Sequence, residues 1–501
     1  MTDIEFIPAK NGGAACKIRG VPLHSLYNPQ KEAERFVSAL ECPFLPSYIL
    51  ITEPGMSYCA EFLRRRFPDA VLCAVRYADG FDKYDGLFDR TFSAHGGARQ
   101  FEDALFSFMG EEGICSCLFA AWQPAAKIFP GTDADIWNAV RRAIVKSRAV
   151  LFTHSHFAAR WLKNAFFLCA NLGRAAKTAR GAAPVVITAS GPSLLPVLDS
   201  LKLFRSSFFL LALSSSLSVL LKNGLVPDAA LSTDGGWWAK KHLEPLLGTD
   251  IPLALPAEGI CQKSLLHGHP ILPLKYEDGT ERRLQDFCGI PAEAAARNGT
   301  VSGTAAEFAL SLTSGTVFFC GLDLESGRGA QHAEPNRIED WNAARDGRLS
   351  PKETRISRAR QNAEALSLYR DWFSSRPASF SRRIVRIVPQ GSLLKPLGGI
   401  RDAGCGFLEA ELSRAQAPLP KIEADGAFSE ADRAAVRRRM QEFLEENADS
   451  EEWLRSAFPA EHLAWRKSLS PEEKAEKRAA MEERNNALKI QLRSIVDAAV
   501  V

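Results

Sequence analysis

The chain has 501 residues, more than one ordinary hydrophobic core accommodates, so two or three domains are expected. Its composition, 46% hydrophobic and 24% charged, is that of a soluble globular protein. Lys and Arg number 62 against 59 Asp and Glu, and a net charge of +3 excludes a broad basic field for nucleic acid; any anion site must be local.

The opening residues, MTDIEFIPAKNGG, hold two early acids and no apolar stretch of the secretory kind. No apolar run approaches the roughly 18 residues a membrane span needs, so no membrane insertion is expected. Eleven cysteines are scattered without a disulfide-like rhythm, and Cys115 and Cys117 lack a second pair to complete a zinc site. A reducing, cytoplasmic location is expected.

In chain order, Tyr48–Thr52 reads as a strand, Glu53-Pro54-Gly55 as a turn, 57–67 as a helix and 70–75 as a second strand. That is a β-α-β unit of the parallel kind. Its turn lacks G-x-G-x-x-G, so no dinucleotide site is indicated. Residues 1–145 are therefore read as a degenerate Rossmann-like α/β module with a structural or partner-binding role. Residues 156–172, HFAARWLKNAFFLCANL, carry large apolar side chains at helical spacing.

From residue 184 short apolar runs recur at 184–188 (PVVIT), 208–213 (FFLLAL), 229–233 (AALST), 251–255 (IPLAL) and 317–320 (VFFC), with helical stretches between the earlier ones. This predicts an α/β fold with a doubly wound parallel-sheet core over 146–345, whose ligands bind beyond the carboxyl ends of the strands. Past 345 the alternation stops: 355–372 is helical, 383–388 one more strand, and 428 onward charge-rich helix. Residues 346–501 are expected to be mainly helical.

The strongest local signal is Thr188-Ala189-Ser190-Gly191-Pro192-Ser193-Leu194. A buried strand enters a tight turn and a helix begins near Ser193, offering unpaired N–H groups beside a glycine that lets an anion approach. An ordinary strand-to-helix turn with a Ser cap has the same spacing. Ser214 and Ser215 form a second such corner, or a simple cap. Asp234, ahead of Gly235-Gly236, should project into the same crevice, to hold a sugar hydroxyl or Mg²⁺ on a pyrophosphate. Thr300, Ser302, Gly303 and Thr304 lie at a helix start and make a third corner. Asp323 closes the last clear strand, and His332 follows the glycine-bearing loop Ser326-Gly327-Arg328-Gly329.

Ser190-Gly191-Pro192-Ser193-Leu194 resembles the Gly-x-Gly-Pro-Ser-Leu turn of the motility-associated factor proteins and of their archaeal relatives, the MptE-like hydroxymethylpterin diphosphokinases. It is also similar to the nucleotide-binding turn of bacterial sialyltransferases that use CMP-activated sugars. Ala189 stands where these families usually carry a first glycine. The resemblance continues in order through Ala212-Leu213-Ser214-Ser215-Ser216-Leu217, Gly224-Leu225-Val226-Pro227-Asp228, Asp234, Asn298-Gly299-Thr300-Val301-Ser302-Gly303-Thr304-Ala305, Cys320-Gly321-Leu322-Asp323-Leu324 and His332. Trp161 and Asn164 match a Trp-x-x-Asn that precedes the family core.

The resemblance implies a glycosyltransferase that moves a nonulosonic acid, of pseudaminic or legionaminic type, from a CMP-activated donor to Ser or Thr of flagellin. It places Ser190, Gly191, Pro192, Ser193, Ser214 and Ser215 at the nucleotide and phosphate, and Thr300, Ser302, Gly303 and Thr304 at the substrate. The catalytic residues would be His332, Asp323 and Asp234. Either His332 or Asp323 would take the acceptor proton, since an imidazole titrates near neutral pH and burial raises a carboxylate; alternatively Asp323 orients His332. No cofactor is required and no protein metal site is expected, with Mg²⁺ optional. The partners would be the sugar donor and flagellin, with no nucleic acid. Two alternatives remain: Mg²⁺-dependent pyrophosphate transfer from ATP to 6-hydroxymethyl-7,8-dihydropterin, and a non-catalytic protein-binding relative.

Overall fold

The computed structural model describes residues 3–325, 331–361 and 364–498. The chain divides into two compact units, one of residues 1–158 with 454–486, the other of 159–453 with 487–501. Three consecutive regions were expected from the sequence. The region after 345 is shared between the two units: three of its strands extend the core sheet, and residues 454–486 fall in the first unit.

In the N-terminal unit, β1 (Ile4–Pro8), β2 (Ala14–Ile18) and β3 (Val21–Pro22) form a small antiparallel sheet. A four-stranded parallel sheet follows, built from β4 (Tyr48–Thr52), β5 (Val71–Arg76), β6 (Arg90–Ser93) and β7 (Cys117–Ala121) in the order β6-β5-β4-β7. The expected β-α-β unit is present, with helix Cys59–Arg66 between β4 and β5. Ile49, Leu50 and Ile51 are buried, the pattern of a strand covered on both faces. The chain steps from β4 through β5 to β6 on one side, then returns to β7 on the other, so strand order reverses at β4.

The second unit holds an eleven-stranded sheet. Its strands are β8 (Arg174–Ala179), β9 (Val185–Thr188), β10 (Phe209–Leu213), β11 (Ala229–Leu231), β12 (Leu253–Pro256), β13 (Ile271–Lys275), β14 (Glu293–Ala294), β15 (Val317–Cys320), β16 (Ile384–Ile387), β17 (Arg401–Ala403) and β18 (Lys421–Ala427). They run β17-β16-β15-β9-β10-β11-β12-β13-β8-β18, with β14 also beside β13. All neighbours are parallel except β18 on β8. This is the doubly wound core expected from the wholly buried runs VVIT, FLLAL and VFFC.

Strand order reverses at β9. Val185 pairs with Phe209 of β10 on one side and with Val317 of β15 on the other. Helix Val301–Leu312 returns the chain across this point, burying Ala305, Phe308, Ala309 and Leu312 against Val185, Ile187, Phe209, Leu211 and Phe319. Because it leads to the amino end of β15, its first turn lies at the carboxyl edge of the sheet.

Several elements carry little sequence signal. β13 has Pro273 at its centre, which argues against an inner strand. The proline fits because its side neighbours are short: β8 meets β13 only at Ile271, and β14 only at Leu274 and Lys275. One 42-residue helix, Pro130–Asn171, replaces the shorter one expected at 156–172. Among the described residues no helix is long and apolar enough to cross a membrane.

Candidate active site

The loops after β9, β10, β11 and β15 meet at the reversal point, which is where an open parallel sheet binds ligands. After β9 the chain turns through Ser190 and Gly191 into a short 3-10 helix, Pro192–Val197. The amide of Gly191 donates to the Gly321 carbonyl at 2.8 Å, and that of Ser193 to Asp323 Oδ2 at 3.1 Å. The Ser193 hydroxyl donates to Asp323 Oδ1. This corrects one expectation: the amides of Gly191 and Ser193 are not open donors for phosphate, because the sheet brings β15 alongside β9 and Asp323 fills the corner. A Cβ on Gly191 would sit 2.5 Å from the Asp323 carboxyl carbon and from the Gly321 carbonyl oxygen, so glycine here serves the close approach of two loops.

What the corner leaves toward the crevice is hydroxyl. Ser215 Oγ donates to Ser190 Oγ at 3.0 Å, joining the first and second predicted corners. The third side is closed by the segment after Gln331. Ala333 N–H donates to the Ser190 carbonyl at 2.7 Å, and Asn336 Nδ2 to the Ser215 carbonyl at 3.2 Å. His332 is thereby held beside both serines. The loop Ser326-Gly327-Arg328-Gly329 lies outside the described residues.

His332 has a partner that the sequence reading missed. Its Nδ1 lies 3.0 Å from Glu339 Oε1, and Glu339 also accepts from the Gln331 amide at 3.0 Å and from Arg355 at 3.3 Å. Burial works to raise the Glu339 carboxyl, but His332, the Gln331 amide and Arg355 hold it below its ordinary range. An ionised carboxylate only accepts, so His332 Nδ1 carries the proton and Nε2 is left as the basic nitrogen. The Glu339 side chain is 5% exposed and that of His332 31%, a buried anchor under a reachable ring. His242 joins them: burial first, then the charge of His332, lower its pKa to about 4, with Asp234 opposing. Asp234 itself accepts from the Gly236 amide at 2.8 Å, forming the turn into helix Trp237–His242.

A buried ionic cluster borders Asp234 beyond the ends of β12, β13 and β14. Arg297 pairs with Glu258 at 2.6 Å and lies over the Tyr276 and Trp161 rings, 4.6 and 5.3 Å from their centroids. Asn164 Nδ2 donates to the Glu258 carbonyl at 2.7 Å. The Trp-x-x-Asn pair therefore fastens the helix end to this cluster. At the third predicted corner, Thr300 caps helix Val301–Leu312 without a side-chain bond, while Thr304 Oγ1 donates to the Ala296 carbonyl at 3.0 Å. A Cβ on Gly303 would meet the Trp372 ring at 3.0 Å. Thr304 and Gly303 are thus occupied by packing, and Ser302 is buried. Among the described residues no group of three His, Cys, Asp or Glu could hold a metal ion.

Residues 159–329 match the family model described as "6-hydroxymethylpterin diphosphokinase MptE-like". The matched segment contains every strand from β8 to β15 and ends short of His332. An uncharacterized protein of Treponema pallidum (strain Nichols) is 29% identical over 290 residues, 58% of this chain. The match spans 64% of that relative, just under two thirds of its length. Among solved structures, a MAf glycosyltransferase from Magnetospirillum magneticum AMB-1 superposes with a TM-score of 0.52, over all of this chain and 91% of its own. At 12% identity, that likeness shows a shared fold. The resemblance read from the Ser190–Leu194 turn is thus supported by a sequence match in the core and by a fold match over the whole chain.

Within and just beyond the matched segment, the structure brings together Ser190, Ser215, Asp234 and His332, adding His242 and Glu339. It sets Ser193 and Asp323 against each other beneath them.

Proposed function

We propose that the chain is a glycosyltransferase using a nucleotide-activated sugar, in the specific form of a CMP-nonulosonic acid donor and a Ser or Thr of flagellin as acceptor. The observation that carries this reading is the His332–Glu339 dyad beside the Ser190–Ser215 hydroxyl pair, at the reversal point of the sheet. The MAf glycosyltransferase fold likeness supports it. In this reading the hydroxyls of Ser190 and Ser215 receive the donor phosphate. His332 Nε2 removes the acceptor hydroxyl proton as its oxygen bonds to the anomeric carbon. The anomeric carbon–oxygen bond to the phosphate breaks, and its electron pair leaves with CMP. Glu339 stabilises the imidazolium so formed. Asp323 holds Ser193 and acts as a positioning residue rather than as the base.

The test is transfer from CMP-nonulosonic acid to flagellin, with donor binding measured in parallel. His332→Ala should lower turnover by roughly two to four orders of magnitude with CMP affinity unchanged. Wild-type turnover in that variant would falsify the assignment. The match over 159–329 favours a second reading, pyrophosphate transfer from ATP to a hydroxymethyl-dihydropterin. Pterin diphosphate formed with ATP and Mg²⁺, and no transfer from any CMP sugar, would establish that reading instead.

A further inference from the structure

The N-terminal unit has a reversal point of its own at β4, and its ligand end is occupied by the chain itself. The loop leaving β4 is buried from Glu53 through Ser57, unusual for a connection between a strand and a helix. Two of its non-glycine residues, Glu53 at φ +35° and Ser57 at φ +63°, adopt left-handed conformations. Such residues persist only where the surroundings force them, and they mark sites worth explaining.

The surroundings here converge on one carboxylate. Glu53 Oε2 accepts from the amides of Tyr77 and Ala78, just past β5, at 2.6 and 3.0 Å. Its Oε1 accepts from the Gly55 amide at 3.1 Å and lies 3.4 Å from Arg76 Nη1. Arg76 is fixed in turn by the Gly55 carbonyl, the Ser57 hydroxyl and Asp85. Over the turn, His24 Nε2 accepts from the Met56 amide at 2.9 Å, and a Cβ on Gly55 would sit 2.6 Å from His24 Nε2 and Leu23 Cδ2. Backbone N–H groups from two loops, with a buried guanidinium behind them, are the means by which such a sheet edge holds a ligand's anionic group.

We propose that Glu53 is an internal ligand: its carboxylate sits in the anion seat of the N-terminal module. The native module then binds no nucleotide, and the seat accepts a small oxyanion only when that side chain is removed. Both oxygens are taken by donors, so a proton or an amide in place of the charge leaves an N–H facing another hydrogen.

Amide hydrogen exchange on the full chain, read over 53–58 and 76–79, tests this. In the wild type, exchange there is slow and indifferent to formate, phosphate or CMP. Glu53→Ala should exchange roughly ten- to a hundredfold faster, the effect of losing charge-assisted hydrogen bonds. Formate or acetate, but not chloride at equal ionic strength, should restore much of the protection. Glu53→Gln, which keeps the volume, should also exchange faster, with no recovery in formate. Wild-type protection in Glu53→Gln, or acceleration in Glu53→Ala that no oxyanion reverses, overturns the proposal, as does nucleotide protection of these segments in the wild type. Should Glu53→Ala fold poorly, its soluble yield in formate against chloride is the readout, and equal yields overturn it.

Discussion

β4 in the N-terminal unit and β9 in the core hold the same place, each an inner parallel strand where the order of the sheet turns back. After β4 the loop is sealed, with Glu53 accepting from the Gly55 amide and from those of Tyr77 and Ala78 past β5, and His24 on its turn. After β9 a carboxylate is used the same way, Asp323 on the Ser193 amide, but it closes one corner only. The hydroxyls of Ser190 and Ser215 and the ring of His332 stay at the surface of the crevice. Topology alone therefore does not make a site. The two edges differ in how many polar groups the chain consumes internally and how many it leaves facing outward.

The widest test of this contrast is acid. Burial lowers the His24 pKa to about 3 and the His242 pKa to about 4, so both rings are neutral in the fold. The unfolded chain takes up these protons as pH falls through about 6.5, so stability is lost from there down to each folded value. The upper bounds are about 5 kcal/mol for His24 and about 3 kcal/mol for His242. Urea titrations between pH 7 and 3 should show the two variants flattened alike down to about pH 4, and flatter dependence in His24→Gln than in His242→Gln below it. Equal flattening there would mean the core edge is as closed as the other.

Next come the buried ion pairs. Arg76 is 8% exposed beside Glu53, while Arg297 is 29% exposed beside Glu258. Arg76→Met should cost about 3–5 kcal/mol by stranding a buried carboxylate, and Arg297→Met measurably less, since water reaches it. Denaturant midpoints for the two variants decide the order. Smaller still, Gly191→Ala should cost about 1–3 kcal/mol in unfolding free energy, through overpacking of the Asp323 loop. Unchanged stability in that variant would show the corner to be loose. Asn164→Ala, losing its bond to the Glu258 carbonyl, should cost about 1 kcal/mol by the same measurement.

The strands at both reversal points were legible because buried parallel strands are short continuous apolar runs bounded by turn residues. Tyr48–Thr52 and Val185–Thr188 fall where those runs lie. β18 (KIEADGA), an edge strand, and β8 (RAAKTA), just inside it, were not, because neither carries a continuous apolar run and their pairing is set by partners far along the chain. The candidate site divides in the same manner. Ser190, Ser215 and Asp234 announce themselves at strand ends. Glu339 sits in RIEDWNA, an ordinary charged helix, and nothing local separates it from Asp340 beside it. That Ser193 spends its donors on Asp323 is a contact across 130 positions, visible only once β15 lies against β9.

The two outer strands of the large sheet also govern how the protein behaves among its own copies. The path of the large sheet ends on β17 and β18, and the backbone of an outer strand is a template for accretion unless it is blunted. At one end β17 is three residues long and begins Arg401-Asp402. At the other, β18 carries Lys421, Glu423 and Asp425, and its register breaks between Ala424 and Gly426. A foreign strand would meet a short, charged stub on one flank and a bent, charged ribbon on the other. Both flanks deter stacking into fibrils while leaving the interior of the sheet as apolar as its packing demands.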